Sequence, residues 1–208
     1  MKIILASASP RRYEILKKHG IVPVVVPSDV DESLTPEMEA RPVSEIVMYL
    51  AHQKARAVYE LLIGDDACRR NDDEDSDPAF VLAADTVVYK DRIIGKPVDE
   101  RDAFEILRSL RASSHQVITG VSLIDMRGGT ETRLYDITEV QFKDYPDEEI
   151  YRYIREEAPY DKSGSYAVQS SWSKNVDRVD GDIENVMGLP WHRIAPLIER
   201  DASSPPSK

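Results

Sequence analysis

FVLAADTVVY, residues Phe80 to Tyr89, sets a single aspartate in a run that is otherwise apolar apart from Thr86. A short apolar run rich in β-branched and aromatic residues predicts a buried strand. The polar pair Lys90-Asp91 then turns the chain into a second strand, Arg92 to Gly95. Upstream, Lys2 to Ala6 reads as a short strand feeding a helix that opens at Ser9-Pro10 and stops at Gly20, since a serine cap, a proline at the first helical position and a glycine past the end punctuate a helix. Val22 to Val26 reads as another strand, and residues 31 to 42 as a polar loop. Val43, Ile46, Val47, Leu50, Ala51, Val58 and Leu61 recur at helical spacing and predict a long amphipathic helix.

Downstream, Asp99 caps a helix carrying Phe104, Ile106, Leu107 and Leu110. Gln116 to Met126 and Thr132 to Phe142 alternate in hydrophobicity and join as a hairpin through Gly128-Gly129. A helix over about Asp147 to Glu157, a glycine-containing loop from Tyr160 to Gln169 and a short helix after Pro190 complete the chain. Strands alternating with helices, together with hairpins, predict an α/β fold with a mixed, elongated β-sheet and flanking helices.

The chain has 208 residues, 41% of them hydrophobic, enough for one substantial core. A single domain over residues 1–200 is expected, followed by a disordered tail at 201–208 that ends in SSPPSK. Gly64 to Pro78 (GDDACRRNDDEDSDP) carries seven acids and two arginines, a balance of -5, and reads as a solvated insertion. Its acids do not follow EF-hand spacing, so a surface loop is favoured over a calcium loop. The net charge of -11 opposes a general role on nucleic acid or an anionic membrane. The lone Cys68 excludes an internal disulfide framework, and no apolar run reaches the roughly 20 residues that span a bilayer. A cytoplasmic protein is expected.

In so acidic a chain the basic groupings are informative. LASASPRR, Leu5 to Arg12, puts Arg11 and Arg12 in the first turn of a helix, where the positive end of the macrodipole disfavours each cation by roughly 0.3 to 1 kcal/mol. Lys54 falls within the apolar stripe of its helix, and either snorkels to the edge or faces a buried site. Asp85 either sits at an exposed strand end or serves as a base or metal ligand, since an ionised carboxylate in apolar surroundings needs a cation, a metal or several donors. GKP, Gly95 to Pro97, and YDKSGSY, Tyr160 to Tyr166, each set a lysine beside a turn-forming glycine. Such turns offer backbone N–H groups to a phosphate while the lysine supplies charge. Together these residues describe a polyanion site with Arg11, Arg12, Lys54 and Lys96 as cations and Asp85 and Glu32 as acids, an assembly suited to phosphoryl chemistry.

LASASPRRYEILKKHGI, VDES, AHQKA, AADTVV, IIGKP, HQVITGV, YDKSGSYAVQ and NVMGLP occur in the order that resembles Maf-type nucleoside triphosphate pyrophosphatases, and the resemblance spans about Ile3 to Leu197. It implies a fold related to the inosine triphosphatase group, two lobes around a cleft, and frequent homodimerisation. It also implies hydrolysis of a nucleoside triphosphate to the monophosphate and pyrophosphate, with Mg²⁺ or Mn²⁺ held by Asp85 and Glu32. On that resemblance Asp85 is the proton acceptor, and Ser7, Ser9, Arg11, Arg12, Glu32, Lys54, Lys96 and Lys162 contact substrate. Three positions track base preference, and here they are Arg11, Thr86 and Gln169, the set of the dTTP and UTP branch; the glutamine amide offers both a donor and an acceptor to a pyrimidine edge. The alternatives are the same chemistry on 7-methyl-GTP or inosine triphosphate, or a nucleotide-binding regulator of septum formation. Ser170-Ser171-Trp172 stands where the family usually has a glycine after the glutamine, which predicts an altered pocket wall near the base.

Overall fold

A computed structural model describes residues 2–64 and 78–202. The chain runs β1 (Lys2–Leu5), α1 (Pro10–Lys18), β2 (Val24–Val25), α2 (Pro36–Glu39), α3 (Val43–Gly64), β3 (Pro78–Lys90), β4 (Arg92–Ile94), α4 (Glu100–Leu110), β5 (Ser114–Asp125), β6 (Glu131–Phe142), α5 (Asp147–Glu157), β7 (Val176–Asp180), α6 (Ile183–Met187) and α7 (Trp191–Ala202). The strands form one mixed sheet in the order β2-β1-β3-β5-β6-β7, with β4 attached to β3. The β1–β2 and β1–β3 pairs are parallel and the others antiparallel. Mixed α/β architecture is therefore observed.

Several boundaries differ from the sequence expectation. The strand expected over Val22 to Val26 contracts to Val24–Val25, because Pro23 and Pro27 on either side have no N–H to give a ladder. Within the expected loop, α2 forms after Thr35, whose side chain accepts from the Met38 N–H. β7 and α6, at five residues each, carry too few positions to show a period. α7 runs to Ala202, two residues into the expected tail, and the rest of that tail lies outside the described residues. So does the acidic stretch from Asp65 to Asp77, with the surface-loop and calcium-loop readings attached to it.

The site is positioned by an opening in the sheet. On one edge β3 pairs with β5 without interruption from Phe80 to Tyr89. On the other, β1 pairs with it up to Leu82, where the Ala6 N–H donates to the Leu82 carbonyl at 2.8 Å, and β4 begins only at Val88. Residues 83–87, Asp85 at their centre, thus border a gap between two lobes. One lobe is cored on both sheet faces, by Ile3, Leu5, Leu16, Leu82 and Ile194 on one and by Ile4, Ala55, Val58 and Val81 on the other. The second lobe packs Leu107 and Leu110 of α4 with Phe142, Tyr153 and Trp172. Trp172 corrects an expectation here: it is fully buried against Tyr145 and Tyr153, with ring centroids 4.8 and 4.7 Å away. It fills the second core and forms no part of the cavity wall.

Gly120 lets α3 lie directly on the sheet. It pairs with Asp85 across the β3–β5 ladder, and a Cβ there would fall 2.3 Å from the Val47 carbonyl carbon. Only a glycine admits so close a backbone approach. The helix is thereby held against the strand carrying Asp85, with Lys54 two turns further along α3.

Candidate active site

A cavity of about 530 Å³ occupies the gap between the lobes. The β1–α1 turn contributes Ser7, Ser9, Arg11 and Arg12; α3 contributes Lys54; β3 contributes Asp85 and Thr86; the turn after β4 contributes Lys96. Glu32 closes one side, and Lys162 and Gln169 reach in from the late loop. All the residues singled out in the sequence line this one space.

Its centre is an ion-pair cluster. Lys54 Nζ donates to Asp85 Oδ1 at 2.6 Å and lies 3.0 Å from Glu32 Oε1. Lys54 and Asp85 are buried and Glu32 is half exposed. Of the two readings open for Lys54, the inward-facing one holds; Asp85 likewise lies inside the sheet and not at an exposed strand end. An ammonium carries three N–H groups, so with two committed to carboxylates Lys54 keeps one for a further anion.

Arg12 folds back across the cleft. Its Nη1 donates to Ser7 Oγ at 2.9 Å, its Nη2 to Thr86 Oγ1 at 3.2 Å and its Nε to the Gly188 carbonyl at 2.9 Å. Burial pulls this guanidinium below its usual pKa range while the charge of Asp85 opposes the shift, and an arginine stays charged at neutral pH regardless. Ser9 occupies the N-cap of α1 but makes no side-chain capping bond; its own N–H donates to Ser7 Oγ at 3.2 Å. The expected hydroxyl cap is thus absent, and the first turn is organised through Ser7 and Arg12.

Arg11 Nη1 faces Asp161 Oδ2 at 3.4 Å, and Lys162 Nζ donates to Asp161 Oδ1 at 2.6 Å. Burial raises the Asp161 carboxyl, but the Lys162 hydrogen bond and both cations outweigh it and hold the group below the usual carboxylate range. Lys96 and Gln169 are exposed at the rim. The Thr86 hydroxyl is engaged with Arg12 and, at 3.0 Å, with Thr119 Oγ1. Sequence reasoning missed Asp161, Ser163, which donates to the Thr86 carbonyl at 3.1 Å, and Gly188. Asp161 and Ser163 sit inside YDKSGSY, where the lysine drew the attention, and Gly188 inside NVMGLP.

Five cations and three carboxylates line the cavity of a chain whose net charge is -11, an inversion that focuses anions into the cleft. Among the described residues no group of three metal ligands lies here. The donor set is the two carboxylates of Asp85 and Glu32 converging on Lys54. Two carboxylates fit a hard ion such as Mg²⁺ or Mn²⁺ that completes its coordination with substrate phosphates and water.

A family model described as Maf-like protein matches residues 2–201. The chain is 40% identical to the dTTP/UTP pyrophosphatase of Acetivibrio thermocellus over 96% of its length and 94% of that protein's. It is 39% identical to the Alkaliphilus oremlandii protein of the same name, over 95% and 94%, and 42% identical to one from Bacillus cereus, over 93% and 86%.

Proposed function

Because the chain belongs to the Maf-like family, we propose that it hydrolyses dTTP and UTP to the nucleoside monophosphate and pyrophosphate. The observation that carries this reading is the gathering of four further cations in one cavity around the Lys54–Asp85 pair inside an acidic protein. A triphosphate supplies the anion that the first turn of α1 otherwise lacks, and the penalty on Arg11 and Arg12 becomes binding energy.

Water attacks the α-phosphorus, the bond from that phosphorus to the α,β-bridging oxygen breaks, and pyrophosphate leaves. With Oδ1 held by Lys54, Asp85 receives the water proton on Oδ2. Arg12, Lys54, Lys96 and Lys162 neutralise the phosphate charge, and Ser7 keeps Arg12 aimed at it through the bond to Nη1. Ser9 presents the turn from which the backbone faces the phosphates. A divalent cation held by Asp85 and Glu32 would supply further charge neutralisation on the phosphate oxygens. Gln169 and Arg11 face the base. The reading includes a cytoplasmic enzyme acting on free nucleotides and assembled as a homodimer; among the described residues no helix is long and apolar enough to cross a membrane.

Incubation with each nucleoside triphosphate and Mg²⁺ or Mn²⁺, with the products resolved, tests the proposal. It expects dTTP and UTP to give monophosphate and pyrophosphate, and Asp85→Asn to abolish turnover. Release of orthophosphate would overturn the cleavage position, and full activity in Asp85→Asn would overturn the role of the aspartate.

A further inference from the structure

A second concave site lies away from the nucleotide cavity and shares no lining residue with it. Asp136, Ile137, Gly181, Asp182 and His192 line a shallow, open concavity of about 360 Å³. Asp136 belongs to β6, Asp182 precedes α6, and His192 is the second residue of α7. One ligand atom from each of Asp136, Asp182 and His192 lies within 4.8 Å of the other two. His192 Nδ1 is 2.9 Å from Asp182 Oδ2, and His192 Nε2 is 3.9 Å from Asp136 Oδ2.

The supports of these side chains lie outside the cluster. The Asp182 N–H donates to Thr138 Oγ1 at 3.1 Å, and the Thr138 hydroxyl donates to the Asp182 carbonyl at 3.0 Å, so the backbone is clamped. The Glu184 N–H donates to Asp182 Oδ1 at 3.0 Å, and Arg193 Nη1 lies 3.9 Å from Asp136 Oδ1. Asp182 therefore has one oxygen held by an outer N–H and the other beside the imidazole, and Asp136 is paired at longer range with Arg193 on one oxygen and with the imidazole on the other. Outer partners that orient ligands in this way are part of what makes a metal site. An ion with bonds of about 2.1 Å holds its ligands roughly 3.4 Å apart, so binding draws one imidazole nitrogen and one oxygen of each carboxylate inward from their present span of up to 4.8 Å.

We propose that Asp136, Asp182 and His192 bind a divalent ion of the zinc class, independently of the nucleotide site. One imidazole nitrogen and two carboxylates suit Zn²⁺, Co²⁺ or Mn²⁺ better than Mg²⁺, which prefers oxygen throughout. His192 is about half exposed, so water completes the coordination. The ion ties β6 and α7 to the start of α6. At the other end of α6, the Gly188 carbonyl holds Arg12 Nε, so the site braces one wall of the nucleotide cavity.

Calorimetric titration of the untagged, metal-free chain with Zn²⁺, with Co²⁺ absorption as a second probe, tests this. One ion per chain is expected with micromolar affinity, weakened about tenfold or more by His192→Ala and by Asp136→Asn. Asp85→Asn is expected to leave that affinity unchanged, and Zn²⁺ to raise the melting temperature of the parent chain but not of His192→Ala. Unaltered Zn²⁺ binding in both His192→Ala and Asp136→Asn, absence of millimolar or tighter binding in the parent, or loss of binding in Asp85→Asn would each overturn the proposal. Pyrophosphatase activity plays no part in these readouts, so they stand or fall apart from the enzymatic reading.

Discussion

Lys54 Nζ lies 2.6 Å from Asp85 Oδ1, and each side chain is only 10% exposed. Removing one member of a buried pair leaves an uncompensated charge and costs about 3–5 kcal/mol. Lys54→Met is therefore expected to destabilise the fold by about 3 kcal/mol in urea unfolding. The double variant Lys54→Met/Asp85→Asn, with neither charge of the pair left, should recover much of that loss. Both variants are expected to lack turnover, so the recovery separates the pair's part in folding from its proposed part in the reaction.

Gly120 links the fold to the same pair. A Cβ at this position meets the Val47 backbone at 2.3 Å, so Gly120→Ala must lift α3 from the sheet. Overpacking of this kind costs about 1–3 kcal/mol. Thermal melting should register that cost, and kcat/KM should fall about tenfold or more, because a shift of ~1 Å in a positioned group is enough for such a loss. A stabilised but inactive Gly120→Ala protein would contradict the account of α3.

Thr86 and Gln169 can be told apart by the pattern of substrates they affect. The Thr86 hydroxyl bonds Arg12 and Thr119, so Thr86→Val loosens Arg12, and kcat/KM should drop by about tenfold for every triphosphate alike. Gln169→Ala should instead alter the ratio of dTTP and UTP to purine triphosphates. A substrate panel on the two variants decides between these patterns.

Stability should also depend on acidity through His115. Burial lowers this imidazole from 6.5 to about 4, with Lys90 adding to the shift, while Nε2 stays 2.8 Å from the Tyr166 hydroxyl. The folded pKa lies below the unfolded one, so between those values the unfolded chain binds more protons and folding weakens as pH falls. The loss runs from about pH 6.5 down to about pH 4, approaching 1.4 kcal/mol per unit within that window. Denaturation at a series of pH values should show this slope in the parent and a flatter one in His115→Gln. Glu131, held at about 2 by Arg133, Ser122 and His52 against the effect of its burial, loses its contribution only at lower pH, from about 4.5 to 2.

The long elements were legible because their periods repeat: α3, α4, β5 and β6 each carry enough apolar positions to declare a face. β7 and α6 were not, since five residues of mixed polarity declare none. The cavity could be anticipated as a set of residue types, because cations are conspicuous in an acidic chain. Its internal pairing could not. Nothing in the spacing says that Arg12 would reach Gly188 across 176 positions, or that Asp161 would hold Arg11 across 150. Those contacts come from loops meeting over the gap in the sheet, and local sequence carries no record of which loops meet.

That gap also fixes how the molecule can move. β3 runs through both lobes with β5 and β6 beside it, paired with β1 at one end, β4 at the other and β5 throughout. If one lobe rocks against the other, the strand acts as the fulcrum, and Asp85 at its midpoint travels least. Arg12 and Lys96 are mounted on opposite lobes and move relative to one another. On the proposed reading, closure around a triphosphate would change the distance between Arg12 and Lys96 while Asp85 stays in place.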